Sequence, residues 1–250
     1  MAAMTHSQAE SEISTPEPEA GGFSRILPLQ GCRNARDVGG YAAADGTSTV
    51  RWRMLLRSEK LNHLTDGDRD VLADLDLRTV IDLRTAHEIG DRPDRLDGLG
   101  VDRFHIPPLL DLTADLPSDL ADLYVYMVDE SGDAIAAAVR QLAQPGALPA
   151  LVHCTAGKDR TGLLIAMVLD LVGIDEAVIV EDYVLSNASL GLVGTGVDEP
   201  MLYHRVYEEW LVNALAHLRA RYGSTADYLK AHGVGDATIA ALRSSLLDAA

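Results

Sequence analysis

The chain has 250 residues, of which 47% are hydrophobic, and it carries a formal net charge of −17. This length suits one domain with one sizeable core. So negative a surface excludes nucleic acid and anionic membranes as general partners, because both are polyanions. Only three lysines occur, Lys60, Lys158 and Lys230. A phosphate-bearing ligand would therefore have to be bound by a local cluster of basic residues.

The first part of the chain predicts a disordered tail followed by strands and helices. Residues 1–22 are rich in Ser, Glu, Pro, Ala and Gly and lack apolar periodicity, so we expect disorder there and a single domain over 23–250. Asp45-Gly46 is typical of a hairpin turn. The run Val50–Leu56 behind it predicts a strand that ends at Arg57-Ser58.

Helical and strand patterns then alternate to the end of the chain. Thr65 and Asp68 form a capping-box pattern at the start of a helix predicted over Asp66–Leu75. The elements predicted after it are a strand over Thr79–Leu83, a strand over Asp102–Pro107, an acidic loop over Leu109–Asp122, a helix over Asp133–Gln144, a strand over Ala147–Val152, a helix over Gly162–Val172, a helix over Glu176–Ser186 capped by Asp175, a helix over Met201–Arg221, and two short helices near 225–232 and 236–248.

This alternation indicates an α/β fold with a central, largely parallel, twisted sheet flanked by helices. In such sheets the C-terminal ends of the strands meet at one edge, where ligands bind. Four segments are predicted to converge there: Arg57-Ser58, Asp82-Leu83-Arg84, the loop leading to Asp111, and His153-Cys154. The local basic cluster would then comprise Arg57, Arg84, Lys158 and Arg160.

The segment His153 to Gly162 (HCTAGKDRTG) places a thiol and a guanidinium around a turn between a strand and a helix. Backbone N–H groups at a helix N-terminus and a nearby guanidinium both stabilise a thiolate, so Cys154 is predicted to be a nucleophile. Attack on a phosphate would give a phosphocysteine that water hydrolyses. The residues expected to assist are Arg160 and the turn residues Thr155, Ala156, Gly157 and Lys158 as phosphate ligands, and Thr161 as a donor to the sulfur. His153 either orients the loop or is a hydrogen-bonded core histidine.

This segment resembles the signature loop of the Cys-x5-Arg protein tyrosine phosphatases, and within them a bacterial group of tyrosine, dual and triple specificity that includes a secreted mycobacterial enzyme. The resemblance spans about residues 25–248 and includes NARDVGG (34–40), RSEKLNHLT (57–65), DLRTAHE (82–88) and EDYVLSN (181–187). It implies the phosphatase fold, Cys154 as nucleophile and Arg160 as phosphate ligand. It also implies that Lys158 and Asp159 are the loop residues associated with a wide substrate range.

A general acid must protonate the leaving oxygen, and three carboxylates are candidates. Asp159 lies in the loop itself and ranks first, with capping of the following helix as its alternative role. Asp82 ranks second, and its alternative role is as a structural partner of an arginine. Asp111 ranks third, since it follows a strand where the wider superfamily keeps its acid loop, but the Trp-Pro-Asp pattern is absent.

The predicted function is hydrolysis of phosphomonoesters on proteins, with phosphotyrosine favoured and phosphoserine or phosphothreonine as further substrates. The alternative substrate is a phosphoinositide or soluble inositol phosphate, which Lys158 supports and the acidic surface opposes. A non-catalytic phosphate-binding module is the third hypothesis. No metal or other cofactor is expected, because the histidines are scattered. Inorganic phosphate would be the product, and the oligomeric state is left open.

Two neighbouring features have two interpretations each, and a third is a candidate lid. Arg36-Asp37 is more typical of an ion pair at a Gly-rich turn than of a site-facing pair. Cys32 is either an inert thiol or a partner in a disulfide that protects Cys154. The segment 109–128 is a candidate lid. With two cysteines, no leader-like N-terminus and no membrane-length apolar run, we expect a cytoplasmic protein, with unconventional secretion as the alternative.

Overall fold

The structure is a computed structural model that describes residues 22–109, 116–117, 119–192 and 205–249. The predicted tail over 1–22 falls almost entirely outside this part of the chain, as does Asp111. The strands are β1 (Arg36–Asp37), β2 (Ser48–Val50), β3 (Leu55–Ser58), β4 (Thr79–Asp82), β5 (Asp102–His105), β6 (Ala150–His153) and β7 (Leu247–Ala249). The helices are α1 (Asp66–Asp74), α2 (Ala86–Asp91), α3 (Leu120–Glu130), α4 (Gly132–Leu142), α5 (Asp159–Leu171), α6 (Glu176–Ser189), α7 (Glu208–Tyr222), α8 (Thr225–Ala231) and α9 (Asp236–Leu246).

The main sheet has the strand order β1-β3-β6-β4-β5. Strands β3, β6, β4 and β5 are parallel, and β1 joins the edge antiparallel to β3. The register aligns the last residues of three neighbouring strands, because His153 pairs with Ser58 on one side and with Asp82 on the other. The predicted convergence of these strand ends at one edge is therefore confirmed, with β6 in the centre.

Both faces of the sheet are covered, and successive residues of each central strand point to opposite faces. Leu55, Ile81 and Val152 belong to the larger core, which also contains buried side chains of α3 to α9. Leu56, Val80 and Leu151 belong to a second core with Leu72 of α1. Burial on both faces explains why the central strands β3, β4 and β6 contain uninterrupted apolar runs, whereas the edge strand β5 is polar and mostly exposed.

The predicted strand over Val50–Leu56 is wrong as one element, because two strands replace it, but its predicted end at Arg57-Ser58 is confirmed. Residues 48–50 form β2, which pairs with the C-terminal β7, while β3 begins only at Leu55. Between them Arg53 has φ of 66° and its N–H donates to the buried Asp37 carboxylate at 2.8 Å. The positive φ turns the chain from the small sheet into the main one.

The helix predictions needed two further corrections. The acidic segment expected to be a loop up to Asp122 is helical from Leu120, capped by the Asp119 side chain, which accepts from the Ala121 N–H. Helix α2 was not predicted, although Thr85 and Glu88 form a complete capping box at its start. The capping box predicted at Thr65 and Asp68 is confirmed. No helix in the described ranges is long and apolar enough to cross a membrane.

Candidate active site

The loop that follows β6 lies at the C-terminal edge of the sheet. Residues 154–158 connect His153, the last residue of β6, to Asp159, the first residue of α5. Gly157 has φ of 65°, and a Cβ atom there would lie 2.1 Å from the Ser58 carbonyl oxygen at the end of β3. Only glycine fits this position, because the backbone needs the left-handed conformation and leaves no room for a side chain.

The carbonyl groups of residues 155–157 all point away from the centre of the loop. The Lys60 N–H donates to the first of them at 3.2 Å. The Asn34 amide donates to the second and third at 3.0 Å each, and Arg57 Nη2 donates to the third at 2.7 Å. In a trans peptide the N–H points opposite to the C=O, so the N–H groups of residues 156–158 turn inward. The loop is thus a concave set of donors suited to an anion.

A buried ion-pair network holds these donors in place. The Asp182 carboxylate accepts from Arg57 Nη1 at 2.6 Å and from Arg36 Nε at 3.1 Å, and Arg36 also donates to Asn34. Burial would raise the pKa of Asp182, but the two guanidinium charges outweigh it and hold that pKa at about 2. The network therefore stays charged and fixes the groups behind the loop.

This network corrects two expectations. Arg57 was predicted to bind substrate, but its side chain is fully buried and its charge is paired with Asp182, so it supports the loop from behind. Arg36 has a structural role, as favoured, but its partner is Asp182 rather than Asp37. Asp37 instead accepts from the N–H groups of Gly39 and Arg53.

Arg160 is held by Glu88, a residue that the sequence-based prediction missed. Its Nη1 and Nη2 atoms donate to the two Glu88 carboxylate oxygens at 2.7 and 2.8 Å. Glu88 also accepts from the Thr155 hydroxyl and from the Thr85 N–H. Burial opposes ionisation, but Arg160 and these donors lower the pKa of Glu88 to about 2. The Thr-x-x-Glu pattern of Thr85 and Glu88 is typical of a capping box, and it is the signal in the sequence from which a buried, oriented carboxylate at this position could have been predicted.

Cys154 is buried, and burial alone would raise the pKa of its thiol. The Arg160 charge and the polar groups of Thr161, its hydroxyl and its backbone N–H, outweigh burial and lower that pKa below its ordinary value. The Thr161 hydroxyl is itself buried and makes no hydrogen bond of standard geometry within the described residues, so it is available to the sulfur. The arrangement favours a thiolate at the centre of the donor loop.

Asp159 faces the loop at the start of α5, and its carboxylate is 25% exposed. Its Oδ1 accepts from the Tyr124 hydroxyl at 2.8 Å, and that hydroxyl in turn accepts from Tyr183 at 2.6 Å. Lys158 Nζ lies 3.7 Å from Oδ2, and its side chain is only 1% exposed. Asp159 is therefore oriented on both oxygens by α3 and by its own loop. Tyr124 was not predicted as a site residue, and no local motif marks it.

Asp82 and Arg84 lie beside the loop but are paired with each other. Arg84 is fully buried, and its guanidinium donates to both Asp82 oxygens at 2.6 to 3.1 Å and lies 2.9 Å from Asp94. This corrects the predicted substrate-binding role of Arg84 and leaves the Asp82 oxygens occupied, which does not suit a general acid. Of the ranked carboxylates in the described chain, Asp159 is the more exposed, since the Asp82 side chain is 11% exposed.

The same cluster includes His153, whose Nε2 lies 3.2 Å from Asp94. Burial would lower the pKa of His153, but Asp94 outweighs it and raises that pKa. Asp82, Asp94 and His153 bring potential metal-ligand atoms within 4.8 Å of one another. The Arg84 guanidinium already contacts both carboxylates, so its positive charge stands where a cation would. His153 thus orients the start of the loop within an ion-pair cluster.

The structure also bears on the predicted lid over 109–128 and on the role of Cys32. Helix α3 occupies the second half of the predicted lid, and its Tyr124 packs edge-on against Tyr183. Residues 110–115 and 118 of that segment lie outside the described ranges. Burial, with nearby carboxylates, raises the pKa of the Cys32 thiol to about 12, and both cysteines are free. These properties fit the inert thiol rather than a protective disulfide.

A poised cysteine at the end of a central parallel strand, a loop of inward N–H groups and an arginine six residues later define a cysteine-dependent phosphatase. A family model described as "Tyrosine phosphatase family" matches residues 27–248, and the chain belongs to this family. The predicted family and the predicted enzyme class are thereby confirmed: the protein is a phosphomonoester hydrolase of the tyrosine phosphatase type.

Two relatives and one solved structure illustrate the similarity. The triple specificity protein phosphatase PtpB of Mycobacterium tuberculosis is 31% identical over 279 residues, covering 89% of this chain and 99% of that protein. A tyrosine-protein phosphatase of Nostoc commune is 33% identical, covering 76% of this chain and 73% of that protein. The crystal structure of TpbA from P. aeruginosa has a TM-score of 0.41 and 17% identity, covering 77% of this chain and 96% of that one. The family assignment rests on the sequence matches.

Proposed function

We propose that this enzyme is a broad-specificity protein phosphatase that dephosphorylates phosphotyrosine, and also phosphoserine and phosphothreonine, through a phosphocysteine on Cys154. The observation that carries the proposal is the outward direction of the three loop carbonyl groups around a cysteine whose pKa is lowered. The similarity to a relative named as a triple specificity phosphatase supports the wide range.

In the first chemical step the Cys154 sulfur attacks phosphorus, and the bond between phosphorus and the leaving oxygen breaks. The inward N–H groups and Arg160 stabilise the charge on the phosphoryl oxygens. Arg160 Nη1 donates to Glu88 and, at 3.3 Å, to the Leu83 carbonyl oxygen, whereas Nη2 donates one hydrogen to Glu88, which leaves its second hydrogen for the phosphate. Asp159 gives its proton to the leaving oxygen.

In the second step water attacks phosphorus, the S–P bond breaks, and inorganic phosphate leaves. The departing sulfur becomes a thiolate again, and the Thr161 hydroxyl and the Arg160 charge stabilise it. Asp159, ionised after the first step, accepts a proton from the attacking water and is restored to its starting state. Over the whole cycle one proton of the attacking water replaces the proton that Asp159 gave to the leaving oxygen, and the other proton stays on the phosphate product.

The substrate range is tested by a turnover panel of phosphotyrosine, phosphoserine and phosphothreonine peptides and phosphoinositides, with Cys154→Ser as the blank. We expect turnover on all three peptides, fastest on phosphotyrosine. A wild-type enzyme that matches the blank on every peptide overturns the proposal. Lys158 in the loop is the observation that favours the alternative substrate, and turnover of phosphoinositides alone would select it.

The role of Asp159 is tested with leaving groups of different basicity. In Asp159→Asn, kcat is expected to fall by about 10²- to 10³-fold with phenyl phosphate and far less with para-nitrophenyl phosphate, because a poor leaving group depends more on protonation. Equal losses on both substrates remove Asp159 from the role of general acid. Glu181→Gln, an exposed carboxylate on α6, is the matched control.

We also propose a cytoplasmic location. Two free cysteines and a nucleophile that must remain a thiolate are consistent with a reducing compartment. Cell fractionation followed by immunodetection tests this, and recovery of the protein only outside the cytoplasm would contradict it.

A further inference from the structure

The Asp159 carboxylate lies at the end of a chain of hydroxyl groups that comes from two other helices. Tyr183 of α6 donates to the Tyr124 hydroxyl at 2.6 Å, and Tyr124 of α3 donates to Asp159 Oδ1 at 2.8 Å. A phenol has one hydrogen to donate and lone pairs that accept, so Tyr124 accepts from Tyr183 while it donates to Asp159. The chain therefore has one direction and ends on one oxygen of the carboxylate.

Close packing holds the two tyrosine rings in place. The Tyr124 side chain is fully buried, and Tyr183 is 1% exposed. The two rings meet edge-on with centroids 5.9 Å apart, and the Trp210 ring of α7 lies 6.0 Å from that of Tyr124. On its other side Tyr183 lies against α5, where a Cβ atom at Gly162 would be 2.9 Å from Tyr183 Cδ2. Side chains locked in this way hold a hydrogen-bond donor at a fixed point.

Both hydroxyl groups keep their protons near neutral pH. Burial, together with the Asp159 charge, raises the pKa of Tyr124 and that of Tyr183 above the ordinary value for a tyrosine. A hydroxyl that itself accepts a hydrogen bond becomes a stronger donor, because the two bonds polarise each other. Tyr124 thus acts as a permanent donor to Asp159 and not as an acid in its own right.

The two oxygens of the Asp159 carboxylate have different surroundings. Oδ1 accepts from Tyr124, so a proton on Oδ1 would meet the hydrogen that the tyrosine donates. The distance from Oδ2 to Lys158 Nζ is 3.7 Å, longer than a hydrogen bond of normal length. The carboxyl group is also 25% exposed, so one side of it can be reached from outside. Oδ2 is therefore the oxygen suited to hold a transferable proton.

We propose that Tyr124 is a positioning residue for proton transfer: its hydroxyl, held by Tyr183, fixes the Asp159 carboxyl so that Oδ2 carries the proton for the leaving oxygen. The inference rests on the proposed function, since it concerns how the same general acid is held. As the bond between phosphorus and the leaving oxygen breaks, the Oδ2–H bond breaks and the proton moves to that oxygen. The carboxylate then becomes charged, and the hydrogen bond from Tyr124 to Oδ1 strengthens. An interaction that strengthens during the step accelerates it.

The test measures kcat with phenyl phosphate and with para-nitrophenyl phosphate. In Tyr124→Phe we expect kcat to fall by about 10-fold with phenyl phosphate and by less than about two-fold with para-nitrophenyl phosphate, because the poorer leaving group depends more on a well-placed proton. Tyr183→Phe removes the more distant hydroxyl and should lower kcat with phenyl phosphate by about two- to three-fold. KM should stay within about two-fold in both variants, because the phosphate-binding loop is unchanged.

A double variant shows whether Tyr124 acts through Asp159. If it does, adding Tyr124→Phe to Asp159→Asn should leave kcat with phenyl phosphate within about two-fold of the Asp159→Asn value, because coupled residues are not additive. A further 10-fold loss in the double variant overturns the proposal. A Tyr124→Phe variant that loses equally on both substrates, or on neither, overturns it as well.

Tyr222→Phe is the matched control, because it removes a hydroxyl from another aromatic pair, in which the Tyr222 and Tyr228 rings meet edge-on at 5.0 Å. It should keep the wild-type kcat on both substrates. Thermal unfolding of each variant identifies a structural effect: a lower midpoint in Tyr124→Phe with an unchanged ratio of the two kcat values overturns the positioning role. Failure of the proposed function looks different, because Asp159→Asn would then lose equally on both substrates or the wild type would match the Cys154→Ser blank.

Discussion

The two cysteines of this chain are both buried, with 4% of Cys32 and 2% of Cys154 exposed, yet their acidities move in opposite directions. Burial, with help from the neighbouring carboxylates, raises the pKa of Cys32 to about 12. Burial also acts on Cys154, but the Arg160 charge and the Thr161 hydroxyl and N–H outweigh it and lower the pKa. Burial alone therefore does not decide whether a thiol is reactive.

The difference lies in which groups face each sulfur. The Cys32 thiol lies 3.6 Å from the carbonyl oxygens of Arg33 and Glu59, which accept from the neutral S–H form. Cys154 precedes the first turn of α5 and faces donors and a cation, which favour the thiolate. The same distinction between acceptors and donors separates a structural thiol from a nucleophile.

The largest expected difference in kcat is between a variant that lacks the Cys154 thiol and one that lacks the Cys32 thiol. Cys154→Ser should reduce kcat by about 10⁴-fold or more on any aryl phosphate, because the serine hydroxyl is not ionised near neutral pH and a catalytic nucleophile has no substitute. Cys32→Ala should keep kcat within about two-fold. Steady-state turnover with both variants at equal folded concentration measures this. Comparable losses in the two would erase the distinction between the thiols.

Alkylation should separate the thiols by a somewhat smaller factor. With iodoacetamide at pH 7, Cys154 should react at least about 100-fold faster than Cys32, because the reactive species is the thiolate. The Cys154 rate should reach half of its plateau at a pH below the value of about 8.5 for a free cysteine. Mass spectrometry of the two cysteine-containing peptides over a pH series measures both rates. Faster labelling of Cys32 in the folded protein would contradict the assignment.

Loss of the Glu88 carboxylate should weaken the site by about 10- to 100-fold in kcat/KM, because Arg160 then loses the charged acceptor of both its terminal nitrogens and is held less firmly in the loop. Glu88→Gln keeps the size of the side chain but removes the charge. The pKa of Glu88 is lowered to about 2, so the stability it contributes is fully present above its unfolded pKa of about 4.3 and is lost as the pH falls towards 2.

The difference in unfolding midpoint between wild type and Glu88→Gln should therefore close between pH 4.5 and pH 2. Thermal unfolding followed by circular dichroism across that range measures it. Glu181→Gln, on an exposed surface of α6, should show no such pH dependence. A midpoint difference that persists unchanged at pH 2 would mean that the carboxylate charge is not what holds Arg160.

The smallest effect concerns the Thr161 hydroxyl. Thr161→Val removes this group at nearly constant volume, and the pKa of Cys154 should rise by less than about one unit, since Arg160 and the backbone donors remain. Alkylation rates over a pH series detect the shift, and Cys32 provides the internal control. A downward shift would show that the hydroxyl does not stabilise the thiolate.

Much of the frame could be predicted from local patterns. The alternating strands and helices, the capping box at Thr65 and the single central loop after β6 follow from short segments of sequence, because their hydrogen bonds join near neighbours. Predictions failed where distant segments decide the outcome. The run over Val50–Leu56 was split because β2 pairs with β7, almost 200 residues away. Helix α3 is stabilised by packing against α7, which no pattern near residue 120 reveals.

The candidate site shows the same limit. Cys154, Arg160 and the loop between them were recognisable as a phosphate-binding segment, whereas Arg57 and Arg84 were assigned to substrate because both follow strand ends. Both arginines do lie at or just after the end of a strand, but each guanidinium forms an ion pair with a buried carboxylate. Sequence alone does not show whether a basic residue is paired, because pairing depends on side-chain directions as well as on distant residues: Asp182 lies 125 residues from Arg57, whereas Asp82 lies only two residues from Arg84.

The sequence by itself indicated the chemistry of this protein: a cysteine, a turn that contains a glycine, and an arginine six residues after the cysteine. These residues act together over one loop between a strand and a helix, so the segment and its flanking elements predict a nucleophile and a phosphate-binding loop. Only the tertiary structure decided how that loop is held. Arg160 donates to Glu88, Arg57 donates to Asp182, and Tyr124 donates to Asp159. Those pairs are 72, 125 and 35 residues apart. Charges and donors meet across such distances only once the sheet and helices have packed.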